Sequence, residues 1–368
     1  MRLIEQTLLA RGIDIETATT DDDGPDRRNG KPCGVPLVED GVVRRYFPKR
    51  LNFYKVSPGF AHWMFGHARD YDLIHIHALF SFTSTVAVWA ARRAGVPYVV
   101  RPLGTLNRYG VEQRRPWLKR LSLALIESRI LLNAAAVHFT AEAERLEAEA
   151  LGVPLRGVVI PLGIEPGVPG DAAIFLERFP DLKNCRRLLF LSRLDPKKNV
   201  EGLMRAFSLC SDTLPDLRLV IAGDGGAAYV TGLKALANEL GLTDRLVWAG
   251  YVAGKQKAAA FAAAHVFVLP SFSENFGIAA AEALMAGLPC VLGKGVAIAG
   301  EVAEARAGFA VEPDAASVAQ KLSMLLSDET LRESMAVRAA ALARDNYSVA
   351  AMGECLARLY ESIVSGDR

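Results

Sequence analysis

The second half of the chain repeats a short apolar run followed by a longer helical pattern. The runs are LLFLS, LRLVIAG, RLVWAG, HVFVLPS and PCVLG, between residues 188 and 293. Continuous runs of Leu, Val and Ile of this length are typical of strands that are buried on both faces. Such strands, alternating with helices, form a parallel sheet with helices on both sides. The pattern therefore predicts a doubly wound α/β domain.

The first half follows the same alternation less regularly. Its candidate strands are DLIHIH, YVVRP, AVHFT and GVVIPLG, separated by helical patterns near 81–94, 115–132 and 141–151. A stretch rich in Pro and Gly, PLGIEPGVPG at 161–170, separates the two halves and is typical of a hinge. We therefore predict a first domain at 1–164, a linker at 165–186, a second domain at 187–346, and a final helix at 347–368 that returns to the first domain.

The start of the chain departs from this alternation. A wound α/β domain normally opens with a buried strand and a glycine-bearing turn. Here Met1 falls inside an amphipathic helix that ends at Gly12. We therefore expect the first domain to lack its opening strand; the alternatives are a different start of the chain, a shortened chain, or a different register.

Composition narrows the function classes. The length of 368 residues fits two domains, and a net charge of +2 gives no reason to expect a nucleic-acid partner. The five cysteines are scattered, with neither a CxxC pair nor a nearby histidine, which argues against a disulfide framework or a zinc site and favours a reducing cytoplasm. The longest charge-free stretch, 73–91, approaches the length of a membrane span, but histidines, serines and threonines interrupt it. We expect a strand followed by a helix there, and no signal peptide before it.

Charged residues follow the first strand of the second half. Arg193 and Lys198 lie in the segment SRLDPKKN, directly before a helix. A guanidinium fork, a point charge and a helix N-terminus together would bind a diphosphate. The alternative is a solvated basic turn.

Two further loops carry candidate binding residues. Gly223, Asp224 and Gly225 follow the second strand, where glycine allows backbone amides to approach a ligand, although this tripeptide is also a common turn. The segment SENFG follows the fourth strand. The amides of Phe276 and Gly277 would face phosphate oxygens, and Glu274 would accept hydrogen bonds from sugar hydroxyls.

Glu282 is a single acid within the apolar helical pattern IAAAEALM at 278–285. A buried carboxylate needs a partner or a shifted pKa. A ribose diol, which offers two hydroxyl donors, would be a suitable partner. The alternative is a glutamate that faces solvent.

Together these motifs resemble the retaining glycosyltransferases of the GT-B fold, specifically group 1 or family 4. The resemblance rests on SRLDPKKN, on GDG and GYV, and on the Glu-x7-Glu element from Glu274 to Glu282. It implies two Rossmann-like domains that face a central cleft. It also implies that Arg193 and Lys198 hold the donor diphosphate, and that Glu274 contacts the transferred sugar. The residues implied to bind the nucleotide sugar are Gly223, Asp224, Gly225, Val252, Asn275, Phe276, Gly277 and Glu282.

The resemblance also implies a reaction. A sugar would pass from a nucleoside diphosphate, UDP or GDP, to a glycan or lipid-linked acceptor in polysaccharide or cell-envelope synthesis, with retention at the anomeric carbon. Cationic side chains would stabilise the departing diphosphate, so no metal and no further cofactor are expected. The alternative, a metal-binding acidic motif at Asp21–Asp23, would need a buried strand before it, and DIETATT is a poor candidate.

The chain departs from the family pattern at Leu103, in RPLGTLN, where many members carry a histidine that contacts the donor sugar. Contacts from Arg101, Thr105, Asn107 or His77 would have to replace it. A catalytically impaired nucleotide-sugar-binding protein, or a GT-B epimerase or phosphorylase, therefore remains an alternative.

A basic amphipathic pattern at 114–132 completes the candidate features. Its charges at Arg114, Arg115, Lys119 and Arg120 would suit an anionic membrane surface, giving a cytoplasmic protein peripheral to the membrane. In the alternative, the leucines at 118, 121, 125 and 132 face the core and the charges are solvated.

Overall fold

The computed structural model describes residues 1–24, 27–51, 54–106, 122–167, 170–211 and 214–366. The chain forms two compact units. Unit 1 contains Met1–Gly163 and Val349–Arg368, and unit 2 contains Ile164–Ser348. The chain therefore builds most of unit 1, then all of unit 2, and returns to unit 1 through its last segment.

The strands of unit 1 form two sheets. They are β1 (Glu16–Thr20), β2 (Pro36–Glu39), β3 (Val42–Phe47), β4 (Ile74–His77), β5 (Tyr98–Arg101), β6 (Ala136–Phe139) and β7 (Gly157–Val159). One sheet has the order β1-β3-β2, and the other has the order β4-β5-β6-β7 with all neighbours parallel. Only the second sheet was predicted, because β1 and β2 are half-buried or exposed and lack a continuous apolar run.

The helices of unit 1 cover these sheets. In the described residues before unit 2 they are α1 (Arg2–Leu9), α2 (Pro58–His67), α3 (Phe82–Ala94), α4 (Ser128–Asn133) and α5 (Glu142–Glu149), with a short 3₁₀ turn at Ala68–Asp70. The chain enters unit 1 through α1, as predicted. Within the described residues no ladder joins β1 to β4, so each of these strands ends its own sheet.

Unit 2 is a six-stranded parallel sheet with helices between its strands. The strands are β8 (Arg186–Leu191), β9 (Leu217–Ala222), β10 (Leu246–Gly250), β11 (Val266–Leu269), β12 (Cys290–Gly293) and β13 (Gly308–Val311). Their order is β10-β9-β8-β11-β12-β13. Every residue of β11 and β12 is buried, as expected for strands covered on both faces.

The helices of unit 2 follow its strands in alternation, as the sequence pattern predicted. They are α6 (Ala172–Arg178), α7 (Val200–Ser211), α8 (Ala227–Glu239), α9 (Gly254–Ala263), α10 (Ile278–Met285), α11 (Ala299–Glu304), α12 (Ala315–Ser327) and α13 (Glu329–Asn346). Short 3₁₀ turns lie at Pro180–Leu182, Pro196–Lys198 and Thr243–Arg245.

The segment predicted as a linker, 165–186, is part of unit 2. Its helix α6 packs against α9, and the side chains of Phe175 and Leu182 are buried. A Cβ on Gly170 would lie 2.0 Å from the carbonyl oxygen of Ala258. These close contacts make the segment a packed element of the domain, which its Pro and Gly content alone did not reveal.

The last helix, α14 (Val349–Ser365), packs against α1 in unit 1. Ile4 and Leu8 form a small apolar core with Met352 and Leu356. The two ends of the chain therefore meet through apolar side chains spaced at helical intervals.

Two of the three acids in the run at 21–23 are held by contacts within unit 1. Asp21 accepts a hydrogen bond from the backbone N–H of Lys49 at 2.8 Å, and Asp22 is paired with Lys49 at 2.6 Å and with Lys55. Within the described ranges, no group of three or more His, Cys, Asp or Glu side chains is arranged to hold a metal ion. Asp22 is therefore paired with two lysine side chains of the same unit, and Asp21 with the backbone of Lys49 and the side chain of Arg28.

The apolar stretch 73–91 contains strand β4 and most of helix α3, as predicted. Ser81 caps the helix by accepting a hydrogen bond from the N–H of Ser84 at 3.1 Å. Among the helices that the structure describes, none has the length and apolar character needed to cross a membrane.

The amphipathic pattern at 114–132 lies partly outside the described residues, which exclude 107–121 and hence all four of its predicted membrane-facing charges. The described part begins with a π-helical turn at Leu123–Glu127, followed by α4. Leu125 and Leu132 are exposed, which corrects the prediction that they face the core. A π turn adds a residue to the helical repeat, so Ile126 and Ile130 face inward instead.

Glu127, in this π turn, is a fully buried carboxyl group. It accepts a hydrogen bond from the N–H of Phe80 at 3.1 Å, and its other oxygen has no partner in the described ranges. Burial raises the pKa of Glu127 to about 7. The folded protein therefore holds a proton there that the unfolded chain releases near its ordinary, lower pKa.

We expect Glu127→Gln to flatten the pH dependence of stability. Between pH 4.5 and 7 the folded state binds more protons than the unfolded state, so wild-type stability falls as pH rises through this window. The variant has no carboxyl group to titrate at this position. From pH 4.5 to pH 7.5, its free energy of unfolding should therefore rise relative to that of the wild type by about 2 kcal/mol. Urea unfolding across this window measures the effect; parallel curves for the two proteins would contradict it.

Candidate active site

The topology of unit 2 reverses between β8 and β11. These strands are neighbours in the sheet, although β9 and β10 come between them in sequence. In open α/β sheets, ligands bind at the carboxyl ends of strands at such a switch point. The loops that follow these two strands, 192–199 and 270–277, contain most of the predicted site residues.

The loop after β8 is held by its own side chains. Asp195 accepts a hydrogen bond from the N–H of Lys197 at 2.9 Å and so caps the 3₁₀ turn. Asn199 has a left-handed φ of 57° and donates its amide to the carbonyls of Pro270 at 3.2 Å and Pro313 at 2.7 Å. Asn199 therefore ties this loop to the loop after β11, and it was not predicted as a site residue.

Lys198 and Glu274 form an ion pair across the switch point. The side chain of Lys198 is only 9% exposed, and that of Glu274 is 18% exposed. Ser271 also contacts the carboxylate of Glu274, at 3.4 Å. The N–H of Glu274 donates to the carbonyl of Gly295 at 2.8 Å, which fixes its backbone. Two of the three residues predicted to be catalytic, Lys198 and Glu274, are thus held side by side; the third is Arg193.

Arg193 differs from Lys198. It is exposed, and its guanidinium has no hydrogen bond or ion pair with any residue that the structure describes. Its backbone is nonetheless constrained, because the N–H of the next residue, Leu194, donates to the carbonyl of Asp224 at 2.8 Å. A fixed backbone with a free guanidinium suits a residue that binds an anionic ligand.

The glycines after β9 are required by packing within the protein. Gly223 has a φ of 138°, and a Cβ there would lie 1.8 Å from the carbonyl oxygen of Ser192. A Cβ on Gly225 would lie 2.2 Å from the carbonyl oxygen of Leu194. The sequence interpretation attributed these glycines to close approach of a ligand, whereas the structure shows that they allow two site loops to contact each other.

Helix α10 begins at the end of the loop after β11. Gly277 is its N-cap residue, with a φ of 99°, and no side chain caps the helix. Phe276 is buried, with its ring packed edge-on against Tyr347 at 5.6 Å, and Asn275 is exposed. The first-turn N–H groups of a helix without a side-chain cap can bind an anion.

Glu282 already has a partner in the structure. The ammonium of Lys257, on α9, lies 2.6 Å from its carboxylate. Its helical neighbours Ala281 and Ala283 are buried, while its own side chain is 22% exposed. The argument that Glu282 needs a ligand as its partner is therefore wrong; binding of a ribose by Glu282 stays a prediction.

Lys257 was missed because it lies 25 residues before Glu282 in the chain. The sequence feature that could have indicated Lys257 as a partner of Glu282 was the pair of lysines in KQKAAAFAAA, the only charged residues in that alanine-rich helix. Val252, predicted to flank the nucleotide base, is buried and follows β10. Val252 and Lys257 both lie in the segment that follows the carboxyl end of β10.

The residues at which the chain was predicted to depart from the family pattern lie in unit 1. Leu103, which the resemblance predicts to stand in place of a histidine, is 43% exposed and has a left-handed φ of 56°. The hydroxyl of Thr105 donates to the carbonyl of Pro102 at 2.7 Å, and Asn107 lies outside the described residues. Arg101 is buried at the end of β5, beside His77 in the register of the sheet.

Comparison with known proteins connects both units to one family. Residues 177–341 match the family model of the group 1 glycosyl transferases, and residues 1–163 match the glycosyl transferase 4-like domain. The chain is 29% identical to D-inositol 3-phosphate glycosyltransferase of Stackebrandtia nassauensis, over 73% of this chain and 63% of that protein. The match therefore spans less than two thirds of that relative.

Two solved structures share the fold. Sucrose-phosphate synthase of Thermosynechococcus elongatus matches with a TM-score of 0.73 and 22% identity, over 100% of this chain and 93% of that one. The HepE protein of Anabaena, solved in complex with UDP, matches with a TM-score of 0.72 and 23% identity, over 87% and 86% of the two chains. With its two units matched in chain order, this protein belongs to the group 1, or family 4, glycosyltransferases and has the two-domain, Rossmann-like GT-B fold.

Proposed function

We propose that this glycosyltransferase takes its sugar from a nucleoside diphosphate and transfers it, without a metal and with retention at the anomeric carbon, to a glycan or lipid-linked acceptor. The observation that carries the proposal is the buried Lys198–Glu274 pair at the switch point of unit 2. The UDP complex of the Anabaena structure supports a nucleotide donor. A polysaccharide or cell-envelope glycan is the product class that the family resemblance favours.

The proposed roles follow from the charges at this edge of the sheet. As the glycosidic bond breaks, negative charge grows on the departing diphosphate. Arg193, Lys198 and the first-turn amides of α10 would bind that charge more strongly in the transition state than in the ground state. Glu274 would exchange part of its contact with Lys198 for the transferred sugar. Glu282, oriented by Lys257, would accept hydrogen bonds from the ribose.

This assignment separates nucleotide binding from turnover. We expect Glu282→Ala to weaken UDP or GDP binding about tenfold, since it removes hydrogen bonds made equally in ground and transition states. We expect Arg193→Ala to lower turnover by roughly 10²-fold with a smaller change in binding. Calorimetry with UDP and GDP measures the binding, and donor hydrolysis measured by mass spectrometry reports the turnover.

Matched controls are available in the same unit. Glu304 and Arg338 are exposed, so Glu304→Ala and Arg338→Ala should change neither quantity. Equal, small effects of Glu282→Ala and Arg193→Ala on binding and turnover would refute the assigned roles.

One observation favours a second function. Leu103 stands where many family members carry a histidine, and a nucleotide-sugar-binding protein without transferase activity would tolerate that change. Binding of UDP or GDP without hydrolysis or transfer of any donor sugar would support this alternative.

A further inference from the structure

Unit 1 contains a group of basic side chains that the proposed function does not use. We call it the Arg101 cluster: His75 and His77 on β4, Arg101 on β5, His138 on β6, and Tyr360 on α14. His77 and Arg101 are neighbours in the parallel register of β4 and β5. The rings of His75 and His77 are stacked with centroids 4.3 Å apart, and Tyr360 Oη lies 2.6 Å from His75 Nδ1.

The cluster has unmet hydrogen-bonding capacity. Four of its nitrogens are buried and have no hydrogen-bond partner among the residues that the structure describes, namely Arg101 Nε, His77 Nδ1, His75 Nε2 and His138 Nδ1. Buried polar atoms in folded proteins are nearly always hydrogen-bonded. His138 donates its Nε2–H to the carbonyl of Ile160 at 2.8 Å, so when the ring is neutral its Nδ1 is an acceptor. The unpartnered Nε–H of Arg101 and Nδ1 of His77 therefore indicate a ligand that accepts hydrogen bonds from them.

The charge of the cluster is positive. Arg101 is 5% exposed and forms no ion pair with any carboxylate of the described residues. Glu144 is the carboxylate with the largest electrostatic effect on the pKa of Arg101. Its oxygens already accept hydrogen bonds from the N–H of Gly104 at 2.8 Å and from the N–H and hydroxyl of Thr140 at 2.8 and 2.9 Å. A guanidinium keeps its proton even when buried, so Arg101 is a cation that forms no direct ion pair within the described part of the chain.

The histidines do not add to that charge. Burial lowers the pKa values of His75 and His77, and the charge of Arg101 lowers them further. Burial, with Arg101, also lowers the pKa of His138 to about 3. The three rings are therefore neutral near pH 7, when each has one N–H donor and one acceptor nitrogen.

The position of the cluster suits a ligand. His77 and Arg101 are the last residues of β4 and β5, at the edge where parallel strands bind ligands. The loops that follow contain left-handed non-glycine residues, Ala78 with a φ of 78° and Leu103 with a φ of 56°. Strained backbone of this kind is concentrated at functional sites.

We propose that the Arg101 cluster binds a phosphate-type oxyanion carried by the acceptor substrate. Arg101 pairs with the anion through Nε–H and a terminal N–H, in the two-pronged geometry that guanidinium groups form with phosphate. His77 donates a further hydrogen bond from Nδ1. The assignment of this anion to the acceptor rests on the proposed function. In that function the cations of unit 2 bind the donor diphosphate, so the anion bound by Arg101 belongs to the other substrate.

The test uses the Nε–H group of Arg101 as its probe. The full chain is labelled with ¹⁵N-arginine and titrated with inorganic phosphate, against sodium chloride at equal ionic strength. The buried Nε–H should exchange slowly, and its signal should be absent from Arg101→Lys. We expect phosphate to shift this signal saturably at millimolar concentration, and chloride to leave it unchanged.

Variants extend the test to stability. Phosphate should raise the melting temperature of the wild type and of Arg93→Gln, an exposed arginine in the same unit. The rise should be lost in Arg101→Gln and reduced in Arg101→Lys, which keeps the charge without the fork. If both Arg101 variants fail to fold, His77→Leu still decides, since it keeps Arg101 but removes the Nδ1 donor and should weaken phosphate binding by about threefold to tenfold.

The outcomes separate this inference from the proposed function. An Arg101 signal that phosphate does not move overturns the inference, whether or not UDP binds. If UDP shifts the Arg101 signal in the same way as phosphate, the anion belongs to the donor, and its assignment to the acceptor is wrong. Saturable phosphate binding in a protein that binds no nucleotide supports the anion site and refutes the proposed function instead.

Discussion

Lys198→Met is expected to reduce glycosyl transfer by about 10²- to 10³-fold while leaving the protein folded. Lys198 lies at the carboxyl end of β8, where its ammonium is almost fully buried against Glu274. A preorganised cation in such a site stabilises developing negative charge more than a solvated one does, and removal of one such donor typically costs this factor. The measurement is the rate of sugar release from the donor under saturating conditions.

Removal of Lys198 also leaves the carboxylate of Glu274 without its partner. Part of any loss could then reflect a displaced Glu274. The double variant Lys198→Met/Glu274→Gln distinguishes the two causes, because it removes the unpaired charge as well. If the ammonium itself acts on the departing diphosphate, the double variant is slower than Glu274→Gln alone. If the loss comes only from a displaced Glu274, the double variant is no slower than Glu274→Gln.

Lys294 and Glu312 provide a matched control for this pair. They form an ion pair at 2.6 Å in the same unit, with side chains 60% and 59% exposed. Exposed pairs contribute little to stability, so Lys294→Met should change neither rate nor stability measurably. A Lys198→Met enzyme that retains near-wild-type turnover would refute the catalytic assignment of Lys198.

Gly223→Ala is expected to destabilise unit 2 by at least about 3 kcal/mol. A Cβ at this position would lie 1.8 Å from the carbonyl oxygen of Ser192, and the φ of 138° is one that alanine rarely adopts. Relief of this contact requires the loops after β8 and β9 to separate. We therefore also expect weaker nucleotide binding, because Arg193 lies in the displaced loop.

Gly226→Ala is the matched control, three residues along the same loop. A Cβ there would meet no atom within 4 Å, and Gly226 has a φ of −59° that alanine adopts freely. Its stability should stay within about 0.5 kcal/mol of the wild type. Urea unfolding of both variants measures the difference; equal stabilities would contradict the loop-packing role of Gly223.

Much of unit 2 was predictable from the sequence. A strand buried on both faces of a parallel sheet must be apolar at every position, and this local signal located β8 to β12. The loops at their carboxyl ends stood out because they interrupt apolar runs with charges and glycines. In unit 1 the same signal failed for β1 to β3, which are not covered on both faces and carry many polar residues.

The sequence by itself determined the alternation of strands and helices, the family, and the segments that form the candidate site. Only the tertiary structure decided which side chains meet. Lys198 and Glu274 are 76 residues apart, and their pairing follows from the adjacency of β8 and β11. Lys257 beside Glu282, and the unpaired Arg101 beside His77, likewise depend on how separate helices or strands pack. A pattern along one chain records local burial, whereas these contacts depend on the order in which the strands assemble.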